Sequence, residues 1–382
     1  MGSVLLKDCV EELLKFTLAS SIDGTLGIDL GLSKEYCSNL LQEDPSETTP
    51  VSAPNGVPPY PLYKHLASAL HESITSGAFF GAENRMEWIH DDNSLKQRVD
   101  WMELVLNKGS ELVNVLKHIG FELHVQEPFF SQIKDGQKTI EGRCASGNYN
   151  RIGPGDLIIV NKCVVLEVQD VHWYASFSEM LQAEGLTKVL PGVKTIEEGV
   201  QVYRKFYTED KERSNGVLAI AVVKTAAQPC IFLASLLSGL GYGGVQCLLG
   251  LMRTAGTVPE GLPPPRSALF SSFTLPHKPN VKGSLLTEGA RALAKHVNRS
   301  SNKWWGHFDG SDSIKNRLAK EVISRLLDHC CWLNVHIAPP HGVVFEIRVA
   351  EGYGARWSKD GTKFIGFLEP YMEDGHSRGW RH

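Results

Sequence analysis

The sequence has no pair of cysteines with only two residues between them. Its eight cysteines, at 9, 37, 144, 163, 230, 247, 330 and 331, therefore supply neither a zinc-type nor a thioredoxin-type spacing. Scattered singly, they suit a reducing compartment, where cysteine serves as a small buried hydrophobe. An excess of basic charge is also missing: 39 lysines and arginines stand against 43 acids, a formal net charge of −4. Bulk electrostatic binding of nucleic acid is excluded, and any such contact must come from a local patch. No dense basic cluster of the nuclear-localisation type occurs, so nucleus and cytosol are not distinguished. The opening MGSVLLKDCVEELLKF carries acids early and no long apolar core, so no secretory signal is expected there. Leu6 stands where a myristoylation pattern after Gly2 wants Ser or Thr. Without a signal, the triplet Asn298-Arg299-Ser300 reads as a chance match to a glycosylation acceptor. An intracellular protein is expected.

Charge itself is absent from 225–252, between Lys224 and Arg253. The length would permit a membrane span. Against it stand Pro229, Gln228, Gln246 and the cluster Gly-Tyr-Gly-Gly at 241–244. A buried hairpin of two short helices, Phe232–Leu240 and Val245–Met252, is the expectation, with no membrane.

At 382 residues the chain is long enough for two or three domains. Residues 1–119 read as helical, over Leu5–Leu18, Lys34–Leu41, Tyr60–Ser76 and Ser94–His118, with an acidic Ser/Thr/Pro linker at 43–59. From Phe121 the period changes to two. Phe121, Leu123 and Val125 alternate with polar residues, a helical turn follows at Phe129–Lys134, and Thr139–Arg143, LIIV at 157–160, Val164–Val171 and Gly216–Val223 are strand-like. Helices are expected at Ser176–Glu184 and Thr195–Phe206. Residues 120–225 thus form a mixed segment of domain size, with short strands and Gly turns that favour a small barrel. Residues 226–283 combine the apolar hairpin with a Pro-rich extended linker from Thr257 to Gly283. Residues 284–382 form a last α+β unit: a helix over Thr287–Val297, another from Asp312 to about His329, then WLNVHIA and VVFEIRV paired around Pro339–Gly342. The fold class is α+β.

Within the middle segment, FFSQIKDGQKTIEGR, RIGPGDLIIV and LPGVKTIEEGVQVYRKFYTEDKERSNGVLAIAV stand in that order. Together they resemble the ASCH family, the activating-signal-cointegrator homology domains, over about 126–224. With its flanking regions the chain is similar to plant proteins that carry this domain. The resemblance implies a PUA-like β-barrel and the binding of RNA or a nucleotide-like ligand.

The residues themselves give a candidate lip. Thr139, Glu141 and Arg143 alternate along one strand beside Lys138, so they share a face. Arg143 can meet a phosphate or base edge with its planar fork, and Glu141 can hold it or accept from a base amine. Neighbouring loops supply Tyr149, Arg151 and Lys162, and a helix end supplies Tyr203, Arg204 and Tyr207. Cations interleaved with aromatics suit single-stranded RNA. A salt bridge between Glu141 and Arg143 at the barrel rim is the plainer alternative.

Two rival functions remain. Some small bacterial ASCH proteins are amidohydrolases that deacetylate acetylated cytidine with a Lys, Thr and Glu set. By that resemblance Lys138 matches the lysine, but Glu141 replaces the threonine nucleophile, while Thr139 is out of place and Glu197 and Glu198 are candidate partners. The second rival is a coregulator-like scaffold whose N-terminal and C-terminal regions bind proteins. The last unit adds His296, His307, His336, His341, His376 and His382, with Glu346, Glu351, Glu369, Glu373 and Asp374. None falls in an HExxH or other defined spacing, so no metal and no cofactor are expected. On one strand Glu346 and Arg348 alternate with Phe345, Ile347 and Val349. Arg356 and Trp357 follow in what reads as a Gly-flanked loop, and together they resemble the lining of a small pocket.

Overall fold

The computed structural model describes residues 6–44, 56–79, 92–280, 285–297 and 303–370. Most of the linker at 43–59 lies outside the described residues, as do Gly2, the Asn298 triplet and Glu373, Asp374, His376 and His382. The chain splits into two compact units. One comprises residues 1–20, 26–28 and 107–236, the other residues 21–25, 29–106 and 237–382. Helices α1 (Leu6–Asp23), α2 (Lys34–Leu41), α3 (Leu62–Ser76) and α4 (Asp92–Lys117) make the N-terminal part helical.

In the first unit, β1 (Phe121–Leu123) is followed by α5 (Phe129–Lys134), β2 (Ile140–Cys144), a 3-10 turn at Gly147–Arg151, β3 (Leu157–Val160) and β4 (Val164–Tyr174). Then come α6 (Phe177–Glu184), α7 (Leu186–Val189), α8 (Ile196–Arg204), α9 (Glu209–Asn215) and β5 (Val217–Lys224). The strands form one curled, mixed sheet in the order β1-β3-β4-β5-β2, a half-barrel in which β1 runs parallel to β3 and the other pairs are antiparallel. β2 is an edge strand.

The run VLAIAV at 217–222 of β5 has no polar face because both of its faces are covered there. Leu218, Ile220 and Val222 join Leu123, Ile158, Val160 and Leu166 inside the curl. Val217 and Ala219 join Phe177, Met180, Leu181, Val189 and Tyr203 under the helices. Phe16 of α1 packs against the first cluster, and Cys9 closes a smaller one with Ile159 and Val165. Side-chain caps start the helices: Ser176 accepts from Glu179 N, Thr195 from Glu198 N and Thr208 from Lys211 N.

Further on, α10 (Pro229–Leu248) is interrupted at Gly241, whose φ of 55° and ψ of −165° are non-helical. It is the one helix among the described residues long and apolar enough to cross a membrane, and 56% of its most apolar window is buried. The stretch read as an extended Pro-rich linker contains α11 (Arg266–Thr274). Pro265 occupies its N-cap position, and Leu269 and Phe273, one turn apart, bury one side.

The C-terminal part of the second unit holds α12 (Glu288–His296), α13 (Asp312–His329) and four antiparallel strands in sequence order, β6 (Trp332–Ile337), β7 (Val343–Arg348), β8 (Gly354–Ser358) and β9 (Phe364–Leu368). Leu333, Val335, Phe345, Ile347, Ala355, Trp357 and Phe367 are buried, on the side where α11, α12 and α13 pack. Arg356 and Trp357, read as loop residues, lie within β8. Trp357 is a core residue whose indole N–H donates to Leu269 O (3.2 Å). Residues 252–258 run beside β6, where Met252 N donates to Leu333 O and Val258 N to Val335 O.

Candidate ligand-binding site

The candidate site is built on the outer edge of β2. In an antiparallel ladder, alternate residues exchange both backbone bonds with the partner strand. Val222 N bonds Thr139 O and Ala145 N bonds Gly216 O, which places Glu141 and Arg143 among the bonded residues and turns the peptide groups of Ile140 and Gly142 away from β5. Lys138 satisfies the first of these free groups. Its amine donates to Ile140 O (2.7 Å) and to Val189 O, and lies 3.1 Å from Glu141 Oε2. Burial pushes the Lys138 amine below its ordinary pKa, against the pull of Glu141.

Glu141 also faces Arg143, whose Nε lies 2.9 Å from Oε1 as an ion pair without hydrogen-bond alignment. The guanidinium Nη2 donates to His124 O (2.6 Å), and its carbon sits 5.8 Å from the centre of the Tyr149 ring. Burial opposes the Arg143 charge, but Glu141, Tyr207 and Tyr149 outweigh it and hold its pKa above the ordinary value. The salt bridge and the lip thus coincide: one buried carboxylate bridges two cations, and the Arg143 side chain remains 14% exposed.

Beside them opens a cavity of about 560 Å³. Lys138, Glu141, Gly142, Arg143, Tyr203 and Tyr207 line it, with His124, Gln126, Phe129, Lys205 and Phe206 among the others. Tyr203 stacks on Phe177 with ring centres 4.1 Å apart, and its buried hydroxyl has no well-aligned partner among the described residues. Burial, and then Glu141, push that hydroxyl well above its ordinary pKa. Gly142 makes the contact possible, because a Cβ there would lie 2.4 Å from Tyr203 Oη and 2.8 Å from Met180 Cε. Gly142→Ala is expected to cost about 1–3 kcal/mol through overpacking and to narrow the cavity. Denaturant unfolding checks this, and unchanged stability would refute the close approach.

The other residues read from the sequence fall elsewhere. Thr139 bonds through its backbone, to Lys188 O and from Val222 N, and is not among the lining residues. Tyr149 and Arg151 belong to the 3-10 turn, with Arg151 exposed. Lys162 occupies the β3–β4 turn with φ 59°, its amine 3.7 Å from Asp8. Arg204 is tied to Glu212 (2.5 Å), whose other oxygen accepts from Phe177 N. Glu198 reaches back to Lys194 N at the start of α8, and neither it nor Glu197 lines the cavity. His124 was legible as the polar alternate between Leu123 and Val125. Phe206, 51% exposed beyond the end of α8, had no such signal.

In the second unit His296 Nδ1 lies 2.7 Å from the Glu369 carboxylate, His336 pairs with Glu346 (3.2 Å), and His307 and His341 are exposed. Among the described residues no group of three or more His, Cys, Asp or Glu is placed to hold a metal ion.

Residues 123–226 match the ASCH domain. Residues 276–369 match a second family, the CdiA C-terminal tRNase toxin domain. Among solved structures, the crystal structure of a hypothetical protein is 45% identical, covering 28% of this chain and 98% of its own, with a TM-score of 0.27. A solution NMR structure of a protein from Pyrococcus furiosus is likewise 45% identical over 28% and 98%, with a TM-score of 0.26. No curated protein matches the chain.

Proposed function

We propose that this protein binds RNA at the β2 edge of its ASCH segment. The observation that carries this reading is Arg143, a partly exposed guanidinium anchored by Glu141 and His124 O at the rim of a cavity whose wall includes Gly142, Tyr203 and Tyr207. A fork fixed in this way suits a phosphate or a base edge. The exposed Phe206 offers a surface for a splayed base. The ASCH match supports RNA as the ligand, and the name of the second matching family, a tRNase, points to the same polymer. Among the described residues no cysteine forms a disulfide, and most of the eight are buried, in keeping with an intracellular site of action.

The test is fluorescence anisotropy of the full chain with two labelled probes, random-sequence RNA 40-mers and unfractionated tRNA, at two salt concentrations. Binding is expected to weaken with salt, because phosphate contacts release counterions. Arg143→Ala is expected to weaken it by about tenfold to a hundredfold, the range of a lost bidentate contact. Equal affinity in the variant would overturn the assignment of the site.

A further inference from the structure

The second unit contains a cavity of about 490 Å³ that takes no part in RNA binding at the β2 edge. One wall is α2 and its C-cap residue. Glu35, Asn39 and Gln42 follow one another at about one helical turn, so they form a polar stripe, with the Tyr36 ring beside them. The facing wall is the segment from Glu260 to Ala268, where Pro264 and Pro265 lead into α11. The turn between β8 and β9 closes a third side with Lys359 and Asp360.

Hydrogen bonds tie these walls to one another. Ser33 N, at the N-cap of α2, donates to Tyr242 Oη (2.8 Å), and that hydroxyl donates to Glu260 Oε1 (2.8 Å). Ser267 N donates to Asp44 Oδ2 (3.2 Å), and the hydroxyl of Tyr60, another lining residue, donates to Pro263 O (2.8 Å). Gly361 lets the β8–β9 turn approach the proline wall: its φ is 73°, and a Cβ there would lie 3.0 Å from Pro264 Cβ. The space is therefore formed by the fold itself, as ligand cavities usually are.

The lining is one-sided in charge, with Glu35, Glu260 and Asp360 against Lys359 alone. It also holds unused hydrogen-bonding capacity. The side chains of Glu35, Asn39 and Gln42 have no hydrogen-bond partner among the described residues. Asp360 accepts from Ser358 and Thr362 through Oδ1, bonds that hold its pKa below the ordinary value, and Oδ2 is left over. Tyr36 is 2% exposed, and its hydroxyl has no partner among the described residues. Burial, and then the neighbouring Tyr242, Cys37 and Glu260, push that hydroxyl above its ordinary pKa, so it lies within electrostatic reach of the acid on the facing wall. A buried hydroxyl left unpaired is costly, and a donor brought in by a ligand would complete it. A metal ion is a poor match. Phenol rings and prolines occupy places where a hard cation needs oxygens, and among the described residues no acidic or His/Cys group is placed to hold one.

We infer that this cavity binds an aliphatic polyamine. The methylene chain lies against Leu262, Pro264 and the Tyr60 ring, and the ammonium groups pair with Glu35, Glu260 and Asp360. The amide oxygens of Asn39 and Gln42 accept from the ammonium nearest α2, whose carbonyl end adds negative partial charge. The Tyr36 hydroxyl accepts from the ammonium at Glu260.

Isothermal titration calorimetry of the full chain with spermidine, without RNA and at physiological salt, tests this. Saturable binding of one spermidine per chain is expected, and it should persist in equimolar magnesium chloride. Pentylamine, with a single ammonium, is expected to bind about tenfold more weakly or worse, the value of one charge-assisted hydrogen bond. Glu35→Gln and Tyr36→Phe should each weaken spermidine by about tenfold for the same reason. Neither side-chain group bonds the rest of the described protein, so both variants should keep the wild-type thermal midpoint. Ala268→Leu alters no charge but fills space inside the cavity, and it too is expected to weaken binding. Absence of saturable heat overturns the inference, as does displacement of spermidine by equimolar magnesium, which would mean diffuse attraction to acids. Unchanged affinity in any of the three folded variants overturns it, and so does heat from a trilysine peptide without heat from spermidine.

Discussion

Glu141→Ala is expected to destabilise the ASCH segment by about 3–5 kcal/mol, the usual cost of leaving a buried charge without its partner. Lys138 is 3% exposed and Arg143 depends on the same carboxylate, so the substitution strands one buried ammonium and loosens one guanidinium. The carbonyls of Ile140 and Val189 still accept from the lysine, but they carry no full charge. The loss should therefore fall mainly on Lys138. A double replacement, Lys138→Met with Glu141→Gln, is expected to recover most of the stability, since a buried pair exchanged for neutral groups of similar volume is often neutral. Urea unfolding of the three chains decides the matter. If the double variant is no more stable than Glu141→Ala, the cost does not come from the stranded charge.

Acid should weaken the C-terminal sheet through Glu346. Burial by itself would raise the pKa of this carboxyl, but the bonds from His336, Arg348 and Arg356 outweigh burial and bring it from 4.5 down to about 2. A folded-state value below the unfolded one stabilises the fold above the unfolded pKa, and that contribution disappears as pH falls toward the folded value. The shift corresponds to about 3 kcal/mol at 1.36 kcal/mol per unit, present at pH 5 and mostly gone near pH 2. Urea unfolding of wild type and Glu346→Gln between pH 5 and pH 2.5 tests the sign. The wild-type advantage should shrink steadily with acidification, and a gap that stays constant would show that the carboxylate is not held by its cations.

The α+β class was legible because the apolar period changes where the architecture changes. The alternation of Phe121, Leu123 and Val125 marks the first strand and its extension, and WLNVHIA and VVFEIRV announce a hairpin that β6 and β7 form. The PUA-like barrel expectation meets an open, curled five-stranded sheet, because β1 and β2 end the order without pairing with each other. Whether an edge is closed depends on partners far along the chain, and local spacing does not carry that information. The same limit applies to the site. Lys138, Glu141 and Arg143 were close enough in sequence to be read as one group. Tyr203 and Tyr207 joined them through the packing of α8, while Lys162 and Arg204 found acids of their own, Asp8 and Glu212. Arg356 and Trp357 looked like loop residues because glycines flank them. The pairing of Gly354 with both Arg348 and Leu368 makes that stretch a strand instead.

The inclusion of α1 in the first unit has a consequence for the order of events at the ribosome. The Cys163 thiol donates to the Glu12 carbonyl across 151 residues of sequence, and Cys9 packs on Ile159 and Val165. At about 5–20 residues per second, roughly 8–30 seconds separate the synthesis of α1 from that of its partners. During that interval the Cys9 side of the helix lacks Ile159 and Val165, a window in which a chaperone or a neighbouring nascent chain competes for it. A chain translated without its first helix would face the opposite problem, with finished strands whose outer face stays bare.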